Sequence, residues 1–162
     1  LQIETVTLED LNTDKNKRDC FVKLIDKGTT PKFRFIVMEL LSYSVHFILK
    51  EIHAIHLSDY SATYLMKETL NAVTTLHELG YIHRDVKPHN FAVGLGLNER
   101  RIYIIDFGIS RKFLDEKKQF VRVPRERVQF LGTLKYCSRA CHLEKEQSVK
   151  DDLECWAYMC LE

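Results

Sequence analysis

Neither sign of charge dominates this sequence of 162 residues, which has 24 lysine and arginine residues against 23 aspartate and glutamate residues. A net charge of +1 gives no general attraction to nucleic acid or to an anionic membrane surface. Long apolar runs are also absent, since no stretch approaches the roughly 20 residues that a helix needs to cross a bilayer. The sequence therefore predicts no nucleic-acid partner and no membrane partner, and any electrostatic specificity must be local.

C-x-x-C pairs are absent as well, although the chain has five cysteines. Cys137, Cys141 and His142 lie close together in the sequence, but a fourth ligand and the usual zinc spacing are missing. We therefore expect reduced cysteines that pack as small apolar side chains, and this favours a cytoplasmic or nuclear protein.

The strongest chemical signal is the stretch Tyr-Ile-His-Arg-Asp-Val-Lys-Pro-His-Asn at 81–90. It is too polar for a core segment, and it follows a long amphipathic pattern that ends at Gly80. Asp85 can accept a proton from a hydroxyl group, and Lys87 can hold the charge of a transferring phosphoryl group. Asn90 can offer an oxygen to a hard cation such as Mg²⁺, so the stretch reads as a working loop.

A second carboxylate, Asp106, follows a β-branched strand and precedes Phe-Gly. Residues 91–93 and 102–105 are predicted to form a hairpin, which would bring Asn90 and Asp106 to one side of the same cleft. Asp106 is then the natural second ligand of Mg²⁺. The Gly-Leu-Gly at 94–96 is expected to be a turn and not a phosphate-binding loop, because no helix follows it.

Together, H-R-D-x-K-P-x-N and D-F-G resemble the signature of eukaryotic protein kinases. Three further stretches are similar to the casein kinase I group, including its tau-tubulin kinase branch. They are Phe-Leu-Gly-Thr-Leu-Lys-Tyr-Cys-Ser at 130–138 with the later His142, Asp-Asp-Leu-Glu at 151–154, and the hinge-like Met-Glu-Leu-Leu at 38–41. The resemblance covers essentially the whole chain.

The resemblance implies an α+β, protein-kinase-like bilobal fold, of which this chain would be a truncated part. Residues 1–38 would be a remnant of the N-lobe, 39–41 the hinge, and 42–162 a portion of the C-lobe that stops in a helix beginning near Asp152. The glycine-rich loop and the ATP-binding strand lysine of the family are missing from the sequence. Both ends are therefore expected to be truncated.

Local patterns predict the elements of such a fold. Helices are expected at 1–11, at 44–49 and at 59–79, where Ser58 is a plausible N-cap and an apolar stripe from Tyr60 to Leu79 would face the core. Strands are expected at 21–26 and 33–38, joined by a turn at 28–31. His46, His53 and His56 show no ligand pattern and are expected at the surface. Ser148 with Asp151 resembles a capping box.

The resemblance implies ATP and Mg²⁺ as cofactors, bound by Glu4, Met38, Glu39, Leu41, Asn90 and Asp106. Glu4 would pair with the strand lysine that holds the α- and β-phosphates, although a surface carboxylate is the alternative interpretation. Glu39 and Leu41 would lie at the hinge, where backbone groups pair with adenine, and Met38 would border the pocket as gatekeeper. The last two of the six are the metal ligands described above.

The same resemblance implies Asp85, Lys87 and Thr133 as the catalytic residues. Asp85 would orient the substrate hydroxyl and take its proton, and Lys87 would neutralise the γ-phosphoryl group. Thr133 would form hydrogen bonds with Asp85 and Lys87, or would serve only as a turn residue. Asp152 matches the aspartate that braces the catalytic loop in kinases, or it would only complement the helix dipole.

The segment from Asp106 to about His142 has a positive bias, to which Lys117 and Lys118 contribute. A solvated loop often carries such charges, but a peptide substrate should also bind here. We therefore expect a preference for acidic or already phosphorylated protein substrates. The cations proposed to recognise them are Arg122, Arg125, Arg127 and Lys135.

These features predict an ATP-dependent serine/threonine protein kinase that acts as a monomer. The alternative is a non-catalytic, pseudokinase-like interaction module or an inactive fragment, because the glycine-rich loop and the strand lysine are missing from this chain. The 162 residues alone are expected to be inactive.

Overall fold

The computed structural model describes residues 1–13, 19–51, 57–115 and 120–161. The chain divides into two compact units, one formed by Leu1–Ala72 with Pro88–Gly108 and the other by Val73–Lys87 with Ile109–Glu162. Both helices and strands are present, so the prediction of an α+β fold is confirmed. The predicted division into lobes at residues 39–41 remains a prediction. The predictions for His53, His56, Lys117 and Lys118 concern residues outside the described ones.

Helix α1 (Gln2–Thr13) opens the first unit and packs through Leu8 and Leu11, which have no exposed surface. Its last turn is tied to the following chain by Asn12. The Asn12 Nδ2 donates to the Val22 carbonyl oxygen at 3.1 Å, and its Oδ1 accepts from the Leu24 amide at 3.3 Å. The predicted helix at the start of the chain is confirmed, with its end two residues later than expected.

Strands β1 (Leu24–Thr29) and β2 (Arg34–Met38) form an antiparallel pair. The turn between them lies later than the predicted 28–31, because Gly28 and Thr29 belong to β1. Thr30 makes the turn: its Oγ1 accepts from the Phe33 amide at 3.0 Å, and its own amide donates to the Phe33 carbonyl at 2.8 Å. Because the Thr30 side chain accepts hydrogen bonds from the turn amides, β1 continues through Gly28 to Thr29 and the turn begins at Thr30.

Two helices follow, α2 (Val45–Glu51) and α3 (Asp59–Glu78). The predicted N-cap of α3 is present, since the Ser58 Oγ accepts from the Ser61 amide at 3.2 Å. Gly80 has a φ of +88°, which suits the residue that ends a helix. The apolar stripe is buried only toward its end, because Tyr60 in the first turn is 80% exposed. The prediction that Tyr60 is a core residue is therefore wrong.

Strands β4 (Phe91–Val93) and β5 (Ile102–Ile104) confirm the predicted hairpin, with Phe91 opposite Ile104 and both side chains fully buried. A short 3₁₀ turn at Gly96–Asn98 lies in their connection, as expected for turn chemistry. The Ile105 amide also donates to the Asn90 carbonyl oxygen at 2.9 Å. This bond places Asn90 and Asp106 at the same end of the hairpin.

The second unit contains the two-residue strands β3 (Tyr81–Ile82) and β6 (Arg111–Lys112), which pair antiparallel. Two helices complete it, α4 (Arg139–His142) and α5 (Val149–Cys160). The capping box at the start of α5 is present. The Asp151 Oδ2 accepts from both the amide and the Oγ of Ser148, at 2.8 and 3.0 Å.

The cysteines are free thiols, and Cys20, Cys137, Cys141 and Cys155 are buried, as the sequence predicted. Burial raises the pKa of Cys137 to about 11, so its thiol stays protonated at neutral pH. No group of metal-binding side chains that could form a zinc site occurs among the described residues. No helix within the described ranges is both long and apolar enough to span a bilayer.

Candidate active site

The loop after β3 is held in place by Asp152, which lies in the first turn of α5 and has no exposed surface. Its Oδ2 accepts from the His83 amide at 2.7 Å, and its Oδ1 accepts from the Arg84 amide at 2.8 Å. The Oδ2 also lies 2.8 Å from the Nε2 of His77 in α3. The bracing contact that the kinase resemblance implied for Asp152 is therefore present, and it fixes the backbone directly before Asp85.

Arg84 adopts a left-handed conformation with φ of +69°, which is unfavourable for a side chain of this size. The strain is held by the Asp152 bond and by the Arg84 Nε, which donates to the Ile109 carbonyl at 2.7 Å. Gly132 lies against the same backbone, and a Cβ added there would lie 2.8 Å from the Arg84 oxygen. The sequence motif contained Gly132, but only the structure shows that this position requires glycine.

Asp85, Lys87 and Thr133 form a closed triangle of hydrogen bonds. The Lys87 Nζ donates to the Asp85 Oδ2 at 2.6 Å and to the Thr133 Oγ1 at 2.9 Å. The Thr133 Oγ1 donates in turn to the Asp85 Oδ1 at 2.7 Å. Both oxygens of Asp85 are thus oriented before any substrate binds, although Thr133 lies 48 positions away in the sequence.

The pKa of Asp85 lies below its ordinary value. Burial acts to raise this pKa, but the hydrogen bonds from Lys87 and Thr133 and the positive charge of Lys87 outweigh it. The side chain is 12% exposed and is therefore within reach of a docked hydroxyl group. At neutral pH the group is a carboxylate that accepts hydrogen bonds.

Asn90 and Asp106 belong to the first unit, at one end of the β4–β5 hairpin. Asn90 is 4% exposed, whereas Asp106 is an exposed residue in a left-handed conformation with φ of +65°. The next residue, Phe107, is fully buried and packs edge-on against Phe21 with ring centroids 6.2 Å apart. The buried ring anchors the chain, so the carboxylate of Asp106 is presented by a fixed backbone.

Glu4, in the first turn of α1, lies in the electrostatic field of Asp106. Its pKa is raised, first by partial burial and then by the negative charge of Asp106. The amide oxygen of Asn90 and the carboxylate of Asp106 are oxygen donors at one end of the hairpin, of the kind that a hard divalent cation prefers. Asn90 and Asp106 therefore fit Mg²⁺, while the predicted lysine partner of Glu4 remains a prediction.

The proposed hinge follows β2. The Glu39 amide already donates to the Lys23 carbonyl at 2.9 Å, and the Glu39 Oε2 accepts from the Lys23 amide at 3.4 Å. An adenine at Glu39 would therefore have to pair with its carbonyl oxygen and not with its amide. Met38 is 36% exposed and Leu41 is half-buried.

The four cations proposed for substrate recognition differ in their surroundings. Arg122, Arg127 and Lys135 are exposed. Arg125 is also exposed, but its guanidinium is bound to Glu146 by two hydrogen bonds of 2.6 and 2.9 Å. The expectation that Arg125 is available to a substrate anion is corrected by this internal partner, which the sequence did not reveal.

The profile of the protein kinase domain family matches residues 4–161. Among curated proteins, the chain is 33% identical over 160 residues to ZK507.1 of Caenorhabditis elegans, covering 98% of this chain and 48% of that protein. It is 34% identical over 142 residues to spe-6 of the same organism, covering 88% of this chain and 37% of that protein.

A third relative, from Dictyostelium discoideum, is 36% identical over 141 residues, which are 86% of this chain and 28% of that protein. The names of all three relatives contain "serine/threonine-protein kinase". The chain spans less than half the length of each of these relatives.

Proposed function

The chain belongs to the protein kinase domain family, with serine/threonine-protein kinases among its relatives, and from this premise we propose a specific activity. The protein that contains this chain transfers the γ-phosphoryl group of Mg-ATP to serine or threonine hydroxyls of protein substrates. The observation that carries the proposal is the triangle of Asp85, Lys87 and Thr133, in which a carboxylate acceptor and a cation are already oriented. The activity is proposed for the whole protein.

Asp85 binds and orients the attacking hydroxyl group. Its lowered pKa makes it a weak base, so it holds the hydroxyl by a hydrogen bond. As the new oxygen–phosphorus bond forms and the bond to ADP breaks, the hydroxyl becomes acidic and its proton passes to an Asp85 oxygen. Lys87 neutralises the negative charge on the γ-phosphoryl oxygens, and Thr133 orients both side chains through its hydrogen bonds to Asp85 and Lys87.

Asn90 and Asp106 are the residues proposed to hold Mg²⁺. When bound, the ion neutralises the phosphate charge of ATP and orients its terminal phosphoryl group. The anchored Phe107 and the hairpin bond between Ile105 and Asn90 support this role, because they keep both ligands at one hairpin end. Met38, Glu39 and Leu41 are proposed to border the adenine.

A finer proposal concerns the branch and the substrate. The motifs at 130–138 and 151–154 support a place in the casein kinase I group. We propose acidic or phosphorylated substrate segments, recognised by Arg122, Arg127 and Lys135, which stay exposed while Arg125 is bound to Glu146. On a peptide array, a preference for basic flanking residues would contradict this substrate class.

Free buried cysteines support a cytoplasmic or nuclear location.

The test of the activity uses the full-length protein with Mg-ATP and serine, threonine and tyrosine peptides. Asp85→Asn is expected to reduce transfer by about 10²–10⁴-fold, the usual contribution of a positioned proton acceptor, and to leave nucleotide binding intact. Asp106→Asn is expected to weaken the Mg²⁺-dependent part of nucleotide binding. Asp59→Asn, an exposed change in the first turn of α3, is the control.

Two results would contradict the proposed activity. One is transfer that is unchanged in Asp85→Asn, since the acceptor would then lie elsewhere. The other is a folded full-length protein that transfers no phosphate to any peptide, which would favour the non-catalytic interaction module.

A further inference from the structure

Two arginines of the second unit lie beside one acidic residue, Glu146, which precedes α5, and a third arginine, Arg84, lies in its electrostatic field. Arg125 makes three hydrogen bonds to it: the Nε and the amide donate to Oε2 at 2.6 and 3.2 Å, and the Nη2 donates to Oε1 at 2.9 Å. The Arg111 Nε lies 3.9 Å from Oε1. The side chain of Glu146 is 13% exposed, whereas that of Arg125 is 43% exposed, so the carboxylate is shielded from water more than the guanidinium that binds it.

The third arginine is Arg84, beside the proposed proton acceptor Asp85. Its pKa is lowered, first by burial and then by the positive charges of Arg125 and Arg111, while Glu146 and Asp152 oppose this shift. Asp152 is already engaged by the amides of His83 and Arg84. Glu146 bonds Arg125 and lies 3.9 Å from the Arg111 Nε, and its negative charge also acts on Arg84.

The sequence shows why this carboxylate matters. Between Asp106 and Thr133 the only hydroxyl-bearing residue is Ser110, and Ser110 is 3% exposed. Residues 111–132 contain no serine, threonine or tyrosine, so they cannot acquire a phosphate that would neutralise the arginines. The structure instead places a carboxylate from outside this segment, that of Glu146, on Arg125.

We propose that Glu146 is a positioning residue whose carboxylate serves as the built-in anion of the Arg84, Arg111 and Arg125 cluster. Through the Arg125 backbone amide and guanidinium it fixes the segment that leads to Gly132 and Thr133 against the chain before α5. The effect of Glu146 on the KM for peptide substrates rests on the kinase activity proposed above, whereas its role as the anion of the cluster does not.

The test replaces Glu146 by glutamine in the full-length protein and uses sulfate as the probe anion. The matched control is Glu126→Gln, which removes the same charge from an exposed residue next to Arg125. Because Glu146→Gln leaves an uncompensated cation cluster, added sulfate is expected to raise its Tm by several degrees more than that of wild type or of Glu126→Gln. Equal sulfate responses in the three proteins would overturn the proposal, whether or not the protein is a kinase.

A second readout separates positioning from general destabilisation. In peptide phosphorylation, Glu146→Gln is expected to raise KM at least about ten-fold with a smaller change in kcat, because the Asp85 triangle contains no Glu146 contact. Sulfate should restore part of the lost KM in Glu146→Gln and should not improve wild type. An unchanged KM in Glu146→Gln, or an equal rise of KM in the Glu126→Gln control, would contradict a specific role of Glu146.

If Glu146→Gln does not fold, Arg125→Lys carries the test. The lysine keeps the positive charge but cannot make the two-point bond to the carboxylate. We expect a raised peptide KM, faster amide exchange in residues 120–127 and no rescue by sulfate, because the resident anion is still present. Wild-type values for both KM and exchange would overturn the proposal.

Discussion

The group around Asp85 and the proposed cofactor-binding group of Glu4 and Asp106 differ in how the protein treats their negative charges. In the second unit, the Asp85 carboxylate is surrounded by donors, so its pKa is lowered and its charge is stabilised by the protein itself. In the first unit, the pKa of Glu4 is raised, first by partial burial and then by the negative charge of Asp106. The Asp85 group needs no ligand to stabilise its charge, whereas we expect a bound cation to stabilise the group around Asp106.

This difference shows how a kinase can be preorganised for one task and dependent on a ligand for another. The proton acceptor must already be oriented when the hydroxyl arrives, and a closed triangle of hydrogen bonds achieves this. Under the proposed activity, Asn90 and Asp106 would release and rebind an ion with each nucleotide. A bound cation would reduce the unfavourable interaction that the charge of Asp106 makes with Glu4.

Apart from changes within the triangle itself, the largest effect is expected when the Asp152 support of the loop before Asp85 is removed. Asp152→Asn keeps the shape of the side chain but replaces one acceptor oxygen with an NH₂ group that cannot accept a hydrogen bond. At least one buried amide of His83 or Arg84 then lacks a partner, which costs about 1–3 kcal/mol. We expect a lower Tm together with a transfer rate reduced by about 10²-fold. An unaltered rate would show that the loop does not depend on Asp152.

A smaller loss is expected from Gly132→Ala. The new Cβ would lie 2.8 Å from the Arg84 oxygen, at a φ of +127° that side chains rarely adopt. The matched control is Gly96→Ala, which also has a positive φ of +57° but meets nothing within 4 Å. Transfer assays should show about a ten-fold loss for Gly132→Ala alone. Equal losses in both variants would mean that backbone strain, and not the contact with Arg84, causes the effect.

Paired carboxylates should also make the second unit sensitive to acid. Burial acts to raise the pKa of Glu154, but bonds from the Arg139 amide and side chain, Tyr158 and Lys150 lower it to about 2. An unfolded glutamate has a pKa of about 4.3, so the stabilisation is present above that pH and is lost as the pH falls toward 2. Melting curves from pH 6 to pH 3 should show a smaller loss of Tm for Glu154→Gln than for wild type. Parallel losses would contradict the lowered pKa.

The sequence predicted the parts of the fold that depend on neighbouring residues. The hairpin that positions Asn90 and Asp106, the cap at Ser58 and the end of α3 at Gly80 all follow from local periodicity and local turn chemistry. The triangle was found because a family motif linked Thr133 to Asp85, since no local rule connects residues 48 positions apart.

What the sequence did not predict depends on three-dimensional packing. Arg125 and Glu146 lie 21 positions apart with no shared period, so Arg125 was assigned to the substrate. Tyr60 has the correct helical spacing for the core, yet the first turn of α3 leaves it 80% exposed. The turn after β1 lies later than the predicted 28–31 because the side chain and amide of Thr30 bond to Phe33.

The contrast between the two groups predicts opposite signs for two matched substitutions. Asp85→Asn removes a charge that Lys87 and Thr133 stabilise, so it should lower the Tm by a few degrees. Asp106→Asn removes a charge that disfavours ionised Glu4, and asparagine tolerates the left-handed backbone at this position. In the absence of Mg²⁺ it should leave the Tm unchanged or raise it.

The most direct measurement is therefore the thermal unfolding of wild type, Asp85→Asn and Asp106→Asn in buffer that contains EDTA, at pH 7. We predict a lower Tm for Asp85→Asn and an equal or higher Tm for Asp106→Asn. A Tm that falls as far for Asp106→Asn as for Asp85→Asn would contradict the account, because both carboxylates would then be stabilised by the protein alone.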